Sequence, residues 1–313
     1  MALGRPRVLV LRALGLGDLL TAVPALRGLR AALPDHELVL AAPSRLLPLV
    51  GLIGAVDRLL PAQGLEPLRW QLPGPDLAVN LHGRGPRSHR LLLDTGARAL
   101  VAYASPELGY DGPPWQREHE VDRWCRLVEA AFGSPVPRDS LDLAVPAVAS
   151  ARPGAVVVHP GAAFPSRRWP AERFGAVCRA LAERGHDVVV TGSAAEKPLV
   201  TEVVRTAGLP EGAGLAGRLD LAQLAALVAS CRLLLCGDTG LAHLASAYGR
   251  PSVLLFGPVS PELWGPPKNR QHLVLWHGDG FGDPWGGAVD PALSLITPAE
   301  VVAAADRLLM PVG

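Results

Sequence analysis

The chain predicts an α/β protein made of two Rossmann-like, doubly wound domains that face each other across a cleft. Three observations point there. Short unbroken apolar runs such as VLVL (8–11), AVVV (155–158), LLLC (233–236) and SVLLF (252–256) read as strands buried on both faces, which is a property of parallel sheets. These runs alternate with longer amphipathic stretches of helical period. The alternation stops in a Pro-rich stretch at 133–153 and then restarts, and 313 residues at about 150 per domain leave room for two domains.

In order along the chain, residues 8–11 form a strand, 18–32 a helix carrying an internal Pro24, and 37–41 a second strand. Strands follow at 76–81 and 98–102, with a helix at 88–94 between them. HEVDRWCRLVEAAF (119–132) repeats apolar residues near i, i+3, i+4 and i+7 and is a helix. After the linker come a strand at 155–158, a helix at 171–184 ending at Gly185, a strand at 187–191 and helices at 195–207 and 221–230. A strand at 233–236, a helix at 241–248 closed by Gly249, and a strand at 252–256 lead into a long Gly/Pro/Trp loop. A terminal helix spans 298–309, with Thr297 as its N-cap and Pro298 in its first turn. The expected domains are 1–150 and 151–296, with 297–313 as a terminal helical segment.

Composition excludes several classes. Lys plus Arg is 30 against 29 Asp plus Glu, a net charge of +1, so bulk charge does not direct the chain to nucleic acid. Four cysteines (125, 178, 231 and 236) show no CxxC and no zinc spacing, and read as thiols of a reducing compartment. No apolar run approaches the ~18 residues of a membrane span. The apolar stretch at 8–11 is too short for a secretory signal, so a cytoplasmic protein is expected.

Ligands of doubly wound sheets sit beyond the carboxyl ends of the strands, and so do the candidate residues here. The first strand runs into Gly15-Leu16-Gly17-Asp18-Leu19-Leu20. Leu20 stands where a dinucleotide fingerprint needs its third Gly, and an acid at a helix start repels a pyrophosphate. Asp18 is therefore either an ordinary helix cap or a carboxylate poised as a general base. His82-Gly83-Arg84-Gly85-Pro86-Arg87-Ser88-His89-Arg90 also follows a strand; Arg84 and Arg87 in this cationic patch suit an anionic acceptor, or simply a solvated helix start. In the second half, Arg167 and Arg168 lie on a loop beyond a strand, suited either to paired phosphate contacts or simply to a solvated basic loop with Trp169 covering a core edge. Gly192-Ser193 follows another strand, where Gly192 would let a ligand approach the backbone. The strongest segment is Cys236-Gly237-Asp238-Thr239-Gly240-Leu241-Ala242-His243. A buried strand ends and a helix begins at once, so the amides near Gly240 and Leu241 make an anion site, with Asp238, Thr239 and His243 beside it. No Asp-x-Asp pair is present to hold a divalent ion on a sugar diphosphate, so no metal and no cofactor are expected.

With LGLGDLLTAVPALRGLR near the start, VVVHPGAAFPSRRWPAERF in the middle, TGSAAEKPL after it and CGDTGLAHLASAYGRPSVLLFGPVSPELWGP near the end, the chain resembles glycosyltransferase family 9, the ADP-heptose–lipopolysaccharide heptosyltransferases and their relatives. The resemblance implies a GT-B architecture and inverting, metal-independent sugar transfer. The first domain would bind a glycan or lipid-linked acceptor, and the second a nucleotide sugar such as ADP-heptose. Asp18 matches the family's catalytic aspartate, and Arg167 falls where members often carry a phosphate-binding Lys. Asp238, Thr239, Gly240 and His243 match its donor motif, with Leu241 alongside, and Gly192 and Ser193 belong to the donor side. Gly17, Thr21, Arg84 and Arg87 fall on the acceptor side; Thr21 stands where many heptosyltransferases have His. The terminal helix would cross back onto the first domain. The resemblance further implies peripheral association with the inner face of the membrane and a monomer. A nucleotide-sugar epimerase of the same architecture and a catalytically silent nucleotide-binding protein remain as alternatives. The Gly-rich loop 277–290 is either a lid or a spacer.

Overall fold

The computed structural model describes residues 5–269 and 271–310. The chain divides into two compact units, Met1–Ala144 and Val145–Gly313, and the division falls inside the Pro-rich stretch.

The first unit is built on a five-stranded parallel sheet: β1 (Arg7–Leu11), β2 (Glu37–Ala42), β3 (Arg58–Pro61), β4 (Leu77–Asn80) and β5 (Leu100–Val101), in the order β3-β2-β1-β4-β5. Its helices are α1 (Leu16–Thr21), α2 (Val23–Ala32), α3 (Leu47–Val50), α4 (Arg87–Leu93) and α5 (Glu120–Phe132). In the register, Val8 to Leu11 of β1 lie against Leu38 to Ala41 of β2 on one side and Leu77 to Asn80 of β4 on the other. β1 is thus flanked on both sides and buried on both faces, as its sequence requires. Strand order reverses between β1 and β4, which makes that gap the unit's topological switch point.

The helix expected over 18–32 is two helices. Pro24 has no N–H to give to the preceding turn, so the chain stops at Ala22 and starts again with Pro24 in the opening turn of α2.

The second unit repeats the plan with β6 (Val156–His159), β7 (Val188–Val190), β8 (Leu233–Gly237), β9 (Ser252–Phe256) and β10 (His272–Trp276), all parallel, in the order β10-β9-β8-β6-β7. Helices α6 (Ala171–Glu183), α7 (Lys197–Ala207), α8 (Leu221–Ser230), α9 (Gly240–Ala247), α10 (Pro261–Trp264), α11 (Pro291–Leu295) and α12 (Pro298–Leu309) cover it. Its switch point lies between β6 and β8.

Two strands went unread in the sequence. β3 is a four-residue edge strand ending in proline, and β10 carries the apolar run Leu273–Trp276 inside the stretch read as a long Gly/Pro/Trp loop. Val301, Ala304, Ala305 and Leu309 of α12 are buried with α6 residues Phe174, Val177 and Leu181 and with β8–β9 residues Leu235 and Leu255, in the second unit's own core.

Candidate functional site

In the first unit the chemistry gathers at the carboxyl ends of β1 and β4. Asp18 is the third residue of α1, and its Oδ2 accepts the Gly15 N–H at 3.0 Å. It so caps the helix from within, and a carboxylate in the first turn also suits the helix dipole. A side chain at Gly15 would press on Oδ2 at 3.3 Å, so glycine leaves the carboxylate its place. Asp18 keeps 27% of its side chain exposed.

Beneath it lies Arg12, whose side chain is fully buried. Arg12 Nε donates to the Asp18 carbonyl at 2.9 Å and Nη1 to the Leu81 carbonyl at 2.5 Å. Nη2 reaches Glu120 Oε1 at 3.0 Å, Thr21 Oγ1 at 3.3 Å and Asp18 Oδ1 at 3.5 Å. The guanidinium also stacks over Trp124 at 4.8 Å, a cation–π contact. Trp124 Nε1 donates to the same Glu120 oxygen at 2.8 Å, and Arg123 pairs with the other. Burial works to raise the Glu120 carboxyl, but the charges of Arg12 and Arg123, with hydrogen bonds from Arg12 and Trp124, outweigh it and hold the group below the usual carboxylate range.

At the end of β4, His82 donates its backbone N–H to Asn80 Oδ1 at 3.0 Å. Burial, with the Arg12 charge second, pushes its imidazole down to about 4. The turn that follows is rigid. Asn80 Nδ2 donates to the Gly83 carbonyl and to Ser88 Oγ, each at 2.9 Å. Gly85 has φ +80°, and a side chain there would collide with the His89 ring. Arg84, Arg87 and Arg90 are all exposed on this turn and on α4.

Gly17 is half-buried next to Asp18. Thr21, expected on the acceptor side, is the last residue of α1. It is buried, and its hydroxyl donates to the Asp18 carbonyl at 3.0 Å while accepting from Arg12. Such back-bonding three residues up a helix is a common use of threonine.

In the second unit the residues converge on the ends of β6 and β8. Thr239 caps α9, its Oγ1 accepting the Leu241 N–H at 3.3 Å, and Gly240 begins the helix. The positive end of α9 therefore opens at the switch point. Asp238 is buried just before it, and Arg167 Nη1 lies 3.6 Å from Asp238 Oδ2. His243 is half-buried in the first turn, its ring 6.1 Å edge-on from Trp264.

Loop 277–290 is tied to the arginine loop. Arg167 Nε donates to the Pro284 carbonyl at 3.2 Å, Ser166 N–H to Gly286 at 3.1 Å and Asp290 N–H to Ser166 at 3.2 Å. Phe281 and Trp285 stand 82% and 70% exposed along it, each following an aspartate that accepts its N–H. Arg168 and Trp169 are structural: Arg168 Nε donates to the Ala162 carbonyl at 2.8 Å, and buried Trp169 donates to the Ile296 carbonyl at 3.1 Å.

Gly192 packs closely against α7. A side chain there would meet Val200 Cγ2 at 2.8 Å, so its smallness lets α7 close on the strand end. Ser193 is exposed and pairs with Glu196 through both N–H and hydroxyl. Glu196 in turn fills the space that a side chain at Gly161 would need. A cavity of about 510 Å³ lies beside this turn, lined by Ala194, Lys197, Thr201, Glu211 and Arg218 among others. The sequence reading missed Arg12, Glu120 and the Pro284 strap. Only Arg12 left a sign, as the charge that cuts the apolar run short.

The model of the family described as glycosyltransferase family 9 (heptosyltransferase) matches residues 96–279. The lipopolysaccharide heptosyltransferase 2 of Escherichia coli K12 is 32% identical over 159 residues, which is 48% of this chain and 45% of that protein. The chain thus spans about half the length of the curated relatives it matches. Among solved structures, the E. coli ADP-heptose lipopolysaccharide heptosyltransferase II superposes with a TM-score of 0.80 at 24% identity, covering 97% of this chain and 98% of that one. An E. coli heptosyltransferase solved with ADP gives 0.71 at 19% identity, covering 96% and 99%. These likenesses establish the shared fold.

Proposed function

The chain belongs to glycosyltransferase family 9, the heptosyltransferases, and on that footing we propose that it transfers a heptose or related sugar from a nucleotide-diphosphate donor to a glycan or lipid-linked acceptor, with inversion and without a metal. The donor class follows from relatives named for ADP-heptose and solved with ADP. The acceptor class follows from relatives named for lipopolysaccharide. One observation carries the reading: the two switch points hold complementary chemistry, a partly exposed carboxylate at the first and a capped helix start with an arginine at the second.

In the proposed reaction an acceptor hydroxyl gives its proton to the Asp18 carboxylate as its oxygen bonds to the anomeric carbon. The bond from that carbon to the diphosphate oxygen breaks, and the electron pair leaves with the nucleoside diphosphate. Arg167 and the amides at the start of α9 meet the growing charge, fixed donors aimed at where it develops. His243 and Thr239 flank the diphosphate, and the cavity beside Ser193 gives the nucleoside room. Arg84 and Arg87 offer exposed cations to an anionic acceptor. Among the described residues no helix is long and apolar enough to cross a membrane.

The test is Asp18→Asn. General-base catalysis is worth about 10²–10⁴-fold, so kcat should fall at least about a hundredfold, while ADP binding measured by calorimetry stays unchanged. Turnover near wild type would remove Asp18 from the role. Consumption of the nucleotide sugar with no acceptor present would favour an epimerase instead.

A further inference from the structure

We infer that Arg12 is a positioning residue for Asp18, and that Glu120 balances its charge so that Asp18 is held without being fully neutralised. The inference rests on the reading of Asp18 as the base. It begins from a fully buried cation at the carboxyl end of β1.

Stability alone is a poor reason for that cation, because buried ion pairs are often matched or bettered by apolar residues of the same volume. The geometry gives another. Arg12 holds residue 18 twice, by its carbonyl at 2.9 Å and by Oδ1 at 3.5 Å. Gly15 N–H takes Oδ2 at 3.0 Å. Both oxygens are therefore fixed, and each keeps a further lone pair for a substrate hydroxyl. The same guanidinium ties α1 to the end of β4 through Leu81 and to the first turn of α5 through Glu120. Small displacements of a reacting group are costly, and such bracing prevents them.

Glu120 supplies the second half. It sits closer to Arg12 than Asp18 does, 3.0 Å against 3.5 Å, and its remaining capacity is filled by Trp124 and Arg123. Part of the Arg12 charge is answered there. A guanidinium facing Asp18 alone would hold the proton-accepting oxygens in a full ion pair and compete with the hydroxyl. Here the carboxylate is gripped by hydrogen bonds while the counter-charge is carried elsewhere.

The experiment measures kcat and KM for transfer from ADP-heptose to a lipopolysaccharide acceptor in the wild type, Asp18→Asn, Arg12→Met, Arg12→Lys and Glu120→Gln, with thermal melting of each. Arg12→Met should lower kcat about 10–100-fold while both KM values stay within about threefold. Arg12→Lys, which keeps the charge but loses the two-point grip, should recover part of the loss. Glu120→Gln preserves shape and should still lower kcat about tenfold at unchanged KM. If Arg12→Met does not fold, the Lys and Gln variants decide the question alone. Wild-type kcat in Arg12→Lys and Glu120→Gln, or a loss confined to KM, overturns the inference and leaves the reading of Asp18 intact. Wild-type kcat in Asp18→Asn overturns both.

Discussion

Replacing Arg167 with alanine tests the donor half of the proposal most directly. The side chain is held by the Pro284 carbonyl, lies 3.6 Å from Asp238 and has its guanidinium 5.7 Å from the Phe164 ring. A diphosphate at the start of α9 would gain charge-assisted hydrogen bonds from it, worth about 1.5–3 kcal/mol. At 1.4 kcal/mol per decade that is about a 10- to 100-fold loss of ADP affinity in Arg167→Ala. The loss should fall at the upper end, because Asp238 is buried close by and its negative charge would face the phosphates with the arginine gone. Arg167→Lys should lose less, since the charge survives without the paired donors. Adding Asp238→Asn to Arg167→Ala should recover part of the affinity by removing that repulsion, a coupling a double-mutant cycle reads directly. Isothermal calorimetry with ADP at fixed salt measures the wild type, these variants and the Asp238→Asn single variant that completes the cycle. An unchanged Kd in Arg167→Ala would refute the placement of the diphosphate, and strictly additive losses would refute the role given to Asp238.

Stability should fall on mild acidification. Burial, with Arg12 second, lowers the His82 imidazole to about 4, and burial lowers His272 to about 4, against 6.5 when unfolded. Between those values the unfolded chain binds protons that the native state refuses, so the contribution is complete above pH 6.5 and is lost as pH falls toward 4. The full gap is at most about 3 kcal/mol for each histidine, and solvent screening brings it to roughly 1–2. Melting temperatures from pH 7.5 to 4.5 should slope downward, with a shallower slope in His272→Gln; a flat profile would contradict the burial argument. Thr239→Ala removes the cap of α9 and should cost about 1 kcal/mol, lowering Tm by roughly 2–4 °C, with weaker ADP binding; an unchanged melt would mean the hydroxyl is idle.

How far a residue's role could be read from the sequence depended on how far away its partners lie. The capping positions of Asp18 and Thr239 were legible because each cap closes inside one strand–turn–helix unit, and the pattern of apolar run, glycine and polar helix start gives both residue and position. Sixteen apolar and amphipathic segments were legible for the same reason, whereas β3 is a short strand closed by Pro61 and β10 lies in a stretch dominated by Gly, Pro and Trp. Thr21 shows the limit of residue type as a guide. A threonine one turn after the candidate base looks like a substrate contact, yet its hydroxyl is consumed by the backbone it sits on and by Arg12. Arg12 shows the limit from the other side. Its place at the end of an apolar run is visible, but its counter-charge Glu120 lies 108 residues on, in a helix whose spacing reports only its buried face. The strap on Arg167 comes from 117 residues away, in a loop with no periodicity. A buried charge cannot be judged from its neighbours in the chain, because the free energy of burying it is set by whatever the fold brings against it. In this protein the fold brings a carboxylate, an indole N–H and a second arginine, and that set of partners lets a cation stand at the root of the candidate site.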